Sequence, residues 1–133
     1  MNSQNLQQHQ WKNRVVIVKT AQIDAEIYNA QVKEFKDKPK EMADRKLVLY
    51  TIQGDNYQMI DFSSSDDQIT GNIKNGFKDS LFNPDSDFEV ILIGLDGGVK
   101  LRQNTILTKE KLFSTIDAMP MRKAETKRNK HKN

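Results

Sequence analysis

Three short runs of β-branched and aliphatic residues constrain this chain more than any other feature: Val15-Val16-Ile17-Val18, Leu47-Val48-Leu49-Tyr50-Thr51-Ile52 and Phe88-Glu89-Val90-Ile91-Leu92-Ile93-Gly94. Successive side chains of a strand point to opposite faces. A run that is apolar at every position therefore suits a strand covered on both sides. The connection between the first two runs is long enough for a helix, which predicts a parallel pair with a right-handed crossover. After the third run, Asp96-Gly97-Gly98 supplies the positive φ values of a tight turn. Val99-Lys100-Leu101-Arg102 then alternates apolar and basic residues. That pair is expected to be an antiparallel hairpin with a half-exposed last strand.

Between these runs the period changes to that of helices. Asp24 is placed to cap a helix carrying Ile23, Ile27, Ala30 and Phe35, and Pro39 breaks it, with a short second turn through Met42 and Ala43. Ile73, Phe77, Leu81 and Phe82 form an amphipathic stripe stopped by Asn83-Pro84-Asp85. Thr108 followed by Glu110, Leu112, Phe113, Ile116 and Met119 gives a capped closing helix ended by Pro120. The stretch from Asn56 to Gly71 is the hardest to assign. Tyr57, Met59, Ile60 and Phe62 suit an edge strand, and Ser63 to Asp67 a loop. The expectation is one α/β domain, a mixed four- to five-stranded sheet with helices on both faces in a thioredoxin-like three-layer layout.

Composition removes whole classes of chemistry. With 133 residues and no cysteine, the chain can bury a core without disulfides. It has no thiol for nucleophilic catalysis, disulfide exchange, thiolate zinc sites or iron–sulfur clusters. Its longest aliphatic runs, Val15 to Val18 and Val90 to Ile93, are four residues long. A transmembrane helix needs roughly 18. Residues 1–10 are rich in Asn and Gln and read as a disordered lead-in, 11–123 as the domain, and 124–133 as a basic flexible tail. The last thirteen residues hold Arg122, Lys123, Lys127, Arg128, Lys130 and Lys132 against Glu125 alone, so this end carries +5 and the rest of the chain −2. Such an end could attract nucleic acid, an anionic membrane surface or an acidic partner, but it lacks interleaved aromatics for stacking, and nucleic acid is disfavoured.

Three segments carry a family resemblance: Trp11-Lys12-Asn13-Arg14, Leu92 to Arg102 across the hairpin, and Asp117-Ala118-Met119-Pro120-Met121-Arg122. The chain resembles the family catalogued as domain of unknown function 4174, over about Trp11 to Lys123. Its members include small bacterial proteins and domains of vertebrate extracellular-matrix and sushi-repeat proteins. The resemblance implies a thioredoxin-like fold related to peroxiredoxins. It also implies a periplasmic or secreted location, since many bacterial members look exported, with the cytoplasm as the alternative. Where a redox-active relative would carry its cysteine, this chain reads Thr20-Ala21-Gln22-Ile23-Asp24, and Ser86-Asp87-Phe88 lacks the proline expected before the third strand. Both departures disfavour a thioredoxin- or peroxiredoxin-class oxidoreductase. A non-catalytic binding or structural module is the expectation that remains.

Candidate chemistry is sparse. His9 and His131 lie in the expected floppy ends, away from any Ser or Thr nucleophile. Lys19 and Thr20 are strand neighbours that point to opposite faces. Asp85, Asp87 and Asp96 could offer oxygen ligands, but their spacing matches no EF-hand, and no metal or cofactor is expected. Gly94, Gly97 and Gly98 make no nucleotide-binding motif. Arg14, Lys100, Arg102 and Arg122 are the candidate surface for an anionic or protein partner. The competing reading is ion pairing with Asp96 and Asp117 and ordinary protection of an edge strand. Met119, Met121 and Trp11 are expected to close the core, with Trp11 anchoring the first strand.

Overall fold

The computed structural model describes residues 9–21, 25–54, 56–63, 68–72 and 87–131. Its centre is the pair of aliphatic runs. β1 (Arg14–Thr20) and β2 (Leu47–Gln53) run in parallel, with Arg14 opposite Leu47 and Thr20 opposite Gln53. The connection between them holds α1 (Glu26–Lys36) and α2 (Pro39–Asp44). Every other pairing is antiparallel: β3 (Asn56–Asp61) on β2, β4 (Gln68–Asn72) on β3, β5 (Phe88–Ile93) on β1 and β6 (Val99–Gln103) on β5. The sheet has the order β4-β3-β2-β1-β5-β6. The mixed α/β architecture is the one expected, enlarged to six strands because the stretch after Gly54 supplies both β3 and β4. α3 (Lys109–Asp117) and α4 (Pro120–His131) close the chain.

Alternation along the central strands builds two cores. Val16, Val18, Leu47, Leu49, Val90 and Leu92 face Phe35 of α1, Met42 of α2, and Leu112 and Ile116 of α3. Val15, Ile17, Val48, Tyr50, Ile52, Ile91 and Ile93 form the second cluster with Tyr57 and Met59 of β3. Each fully buried aliphatic side chain contributes about 1.5–3 kcal/mol, so these runs outweigh local propensity in setting the sheet. The stripe Ile73, Phe77, Leu81 and Phe82 lies outside the described residues, as do Asp24 and Asp85. The described α1, α2 and α3 all pack on the first cluster. No helix among the described residues is long and apolar enough to cross a membrane.

Several expectations need correction. Helix α1 buries Tyr28, Gln31 and Phe35, while Ile27 is exposed and the N-cap is Ala25 without a side-chain bond. The burial of Gln31 rotates the helix. Its Nε2 donates to the Leu107 carbonyl at 2.8 Å and its Oε1 accepts from the Leu107 N–H at 2.6 Å, so a polar side chain completes the backbone of a buried loop. At the basic end, α4 continues through Ala124 to His131, with Arg122 and Glu125 buried. His9 is likewise buried rather than floppy. Trp11 does not anchor the core, being 61% exposed.

Candidate functional site

The chemistry of this molecule gathers where the start of β1, the β5–β6 hairpin and the α3–α4 junction meet. Gly97, at φ 86, turns the hairpin, and its N–H donates to the Gly94 carbonyl at 3.0 Å. Asp96 braces the turn: one carboxylate oxygen accepts from the Gly98 N–H and the other from Lys100 Nζ, each at 2.9 Å. These bonds, led by that from Lys100, hold the Asp96 carboxyl below its ordinary value. A Cβ on Gly94 would lie 2.6 Å from Lys100 Cε, so the missing side chain leaves room for the lysine stem to cross the hairpin. At the junction, α3 ends with the Ala118 N–H on the Ser114 carbonyl and the Met119 N–H on the Ile116 carbonyl. Pro120 then opens α4, where its missing N–H costs nothing.

Between these segments lies a cavity of about 380 Å³, lined by Arg14, Gly94, Leu95, Asp96, Lys100, Met119, Pro120 and Met121. Its lining is drawn from the same three segments that carry the sequence resemblance. Arg14 belongs to its buried side. The guanidinium is 1% exposed and grips Glu125 with both terminal nitrogens, Nη1 at 3.3 Å and Nη2 at 3.1 Å, while Nη1 also donates to the Arg45 carbonyl at 2.9 Å. Its Nε is buried without a hydrogen-bond partner.

Behind the cavity, Glu125 also accepts from Arg122 Nη1 at 3.3 Å and faces Lys46 Nζ at 3.9 Å. Arg122 donates through Nε to Asp117 at 3.2 Å and through Nη1 to the Asp44 carbonyl at 3.0 Å, and pairs through Nη2 with the Asp44 carboxylate. Asp117 in turn accepts Arg45 Nε and Nη2 at 3.1 and 2.9 Å. Burial alone would raise the Asp117 carboxyl, but the bonds from Arg45 and Arg122 outweigh it and hold the group below its usual value. Arg14, Arg45, Lys46 and Arg122 thus face Asp44, Asp117 and Glu125, a cluster with one excess positive charge.

The four basic candidates therefore separate. Arg14 and Lys100 line the cavity, Arg122 supports it from behind, and Arg102 stands apart, donating to Glu89 of β5 at 2.8 Å. The pairings Lys100–Asp96 and Arg122–Asp117 are both present. Met119 is half-buried and packs against the first core cluster while also lining the cavity, whereas Met121, 43% exposed, walls the cavity instead of closing the core. Glu125 is the residue that sequence reasoning missed. It is the one acid in a basic run and lies three positions after Arg122, a spacing that pairs side chains on a helix.

His9 forms a second polar group. Its Nδ1 lies 3.1 Å from Asn13 Oδ1 and its Nε2 2.8 Å from the Tyr50 hydroxyl. With Nδ1–H donating to the amide oxygen, the Tyr50 O–H donates to Nε2. The backbone N–H groups of Lys12 and Asn13 both donate to the His9 carbonyl. This arrangement pins the turn that delivers Arg14 to the cavity. Lys19 and Thr20 are both buried on β1. Among the described residues no three acidic, His or Cys side chains are grouped to hold a metal ion.

Comparison with protein families gives a match. The family model described as "Domain of unknown function (DUF4174)" matches residues 5–125, a span that includes all three cavity-lining segments and ends at Glu125. A search of curated proteins finds no match.

Proposed function

The chain belongs to the DUF4174 family, and from that premise and the geometry of the cavity we propose that it is a non-catalytic module that binds an anionic group of a ligand or partner. One observation carries the reading. Arg14 and Lys100, far apart in sequence, line one cavity whose remaining walls are largely apolar, and Arg14 keeps a buried Nε without an acceptor. Cationic groups among apolar walls suit a carboxylate with an aliphatic body. Lys100 is shared with Asp96, but an exposed pair of this kind is held weakly and yields to an incoming anion. A volume of 380 Å³ lies near the small end of the roughly 300–1,000 Å³ that ligand sites occupy.

The rival reading, an oxidoreductase of the thioredoxin or peroxiredoxin class, needs a thiol the chain does not possess. Peroxide consumption and disulfide reduction are expected at background, and robust thiol-independent turnover would overturn the binding reading. The resemblance to exported relatives supports a periplasmic or secreted site of action, which fractionation of the native cells tests.

The direct test is titration of isotope-labelled protein with hexanoate and, separately, hexylammonium. Hexanoate is expected to shift the amides of Gly94, Leu95, Gly98 and Met121, hexylammonium to leave them, and Lys100→Glu to abolish the response. An equal response to both probes, or shifts elsewhere in the molecule, would sink the assignment.

A further inference from the structure

We propose that the cavity and its apolar rim dock an acidic segment of a partner protein, which seats one aliphatic or methionine side chain in the cavity and covers Trp11. This rests on the binding reading above and adds the class of partner. The backbone of Trp11 stands at φ 68, a conformation that bulky side chains adopt rarely and only where their surroundings enforce it. Here the enforcing contacts are visible: the His9-centred turn on one side, and the Leu95 carbonyl accepting the Trp11 N–H at 2.6 Å on the other. The fold thus holds its sole tryptophan outward, beside a residue of the cavity lining. Tryptophan in that setting suits an interface anchor.

Apolar surface also continues out of the cavity over Met121. A small molecule held inside would leave Trp11 in water, whereas a polypeptide crossing the lip covers both. A bilayer would meet a concavity it cannot fill, while a peptide inserts a side chain into it.

Charge selects the partner's character. Lys12 and Lys100 are exposed at this end. Helix α4, which begins at the cavity wall, has Glu125 as its one acid, and that carboxylate is already taken by Arg14 and Arg122. Asp96 and Lys100 cancel in charge, so the balance at this end is set by Lys12 and by the excess positive charge of the Arg14, Arg45, Lys46 and Arg122 cluster. An acidic segment is complementary to this balance.

The probe is a library of short random peptides displayed on phage and panned against the full chain. Enriched sequences are expected to combine Asp or Glu with one aliphatic or methionine residue. A synthetic representative should move the Trp11 emission to the blue. Its affinity is expected to fall at least about thirtyfold in Trp11→Gly, the loss typical of an interface hot spot, and at least about fivefold in the exposed-site variant Lys100→Glu. Glycine accepts the positive φ, so Trp11→Gly is expected to keep the wild-type melting temperature. The proposal is overturned by a library without enrichment, by enriched peptides lacking acids, or by affinity indifferent to both substitutions. Tighter binding of phosphatidylserine vesicles or of a single-stranded oligonucleotide than of any peptide also overturns it. If hexanoate shifts the lining amides while the peptides fail, the cavity reading stands and the peptide inference falls. If hexanoate fails as well, both fall.

Discussion

Glu125 joins α4 to the first residue of β1 through a guanidinium withdrawn from water. Removing one partner of a buried ion pair strands the other. Glu125→Ala is therefore expected to destabilise the fold by about 3–5 kcal/mol, read from urea denaturation. The double variant Arg14→Met with Glu125→Leu is expected to lie much closer to wild type, because Arg122 retains Asp44 and Asp117. Equal losses in the single and double variants would show that the pair is not what holds α4. Gln31 makes a similar case without charge. Gln31→Leu keeps the volume but strands the N–H and carbonyl of Leu107, at about 1–3 kcal/mol for each group left unsatisfied. A loss below that of a surface substitution would show that water or another group replaces the amide. The spacing from Arg122 hints at a helical pair for Glu125, but nothing in sequence points to Arg14 or, for Gln31, to Leu107. A glutamine in a helix and a glutamate in a basic run both read as solvated until a distant backbone or guanidinium is brought against them.

Among the elements, α4 differs most from its sequence reading. The stretch from Ala124, read as a basic flexible tail, lies within α4, whose first turns are bound to β1 and α2 through Arg122 and Glu125. Truncation discriminates sharply. A chain ending at Lys123 loses Glu125 and is expected to lose roughly 3 kcal/mol or more, while a chain ending at Lys127 keeps the pair and is expected to lose under about 1 kcal/mol. For the same reason, deleting residues 124–133 to test the basic end for nucleic-acid binding would also damage the fold. At the α2–α3–α4 junction, Asp117 sits at the end of α3, where the helix dipole disfavours an acid. Arg45 and Arg122 reverse that preference. Its folded carboxyl lies below its unfolded value of about 3.9. The stability it adds is thus present above that value and lost as pH falls through the lower folded one. The urea midpoint should drop on acidification below pH about 4 in the wild type, and less steeply in Asp117→Asn. Parallel acid limbs in the two proteins would remove Asp117 from the account.

Across the whole molecule, the sheet is sealed on both sides at its centre. Ile91 and Leu92 are adjacent on β5, are both fully buried, and belong to different cores. Each substitution to Ala is expected to cost about 2–5 kcal/mol. Leu101→Ala on the edge strand β6, half-buried, is expected to cost less. A surface-like cost for Ile91→Ala would mean that the second face is open. The parallel β1–β2 pair, the antiparallel hairpin and the cap of α3, where Thr108 Oγ1 accepts from the Lys111 N–H, were all legible beforehand. The face of α1 was not, because a hydrophobic count cannot anticipate that Leu107 needs an amide. Trp11 was misread because a large aromatic normally goes inside, and only the enforced turn at His9 and Leu95 keeps it out. The four basic candidates were legible as a set, but only Arg14 and Lys100 share a cavity.

The sequence by itself determined the three central strands, the parallel β1–β2 pair and the hairpin, since these follow from apolar runs, connection length and turn residues that act within a few positions of one another. It also ruled out thiol chemistry by composition. The cavity, the withdrawn guanidinium of Arg14 and the outward tryptophan were decided only by the tertiary structure. Each depends on bringing the first strand, the hairpin and the last helix together, and no local pattern encodes which charge will meet which across that distance.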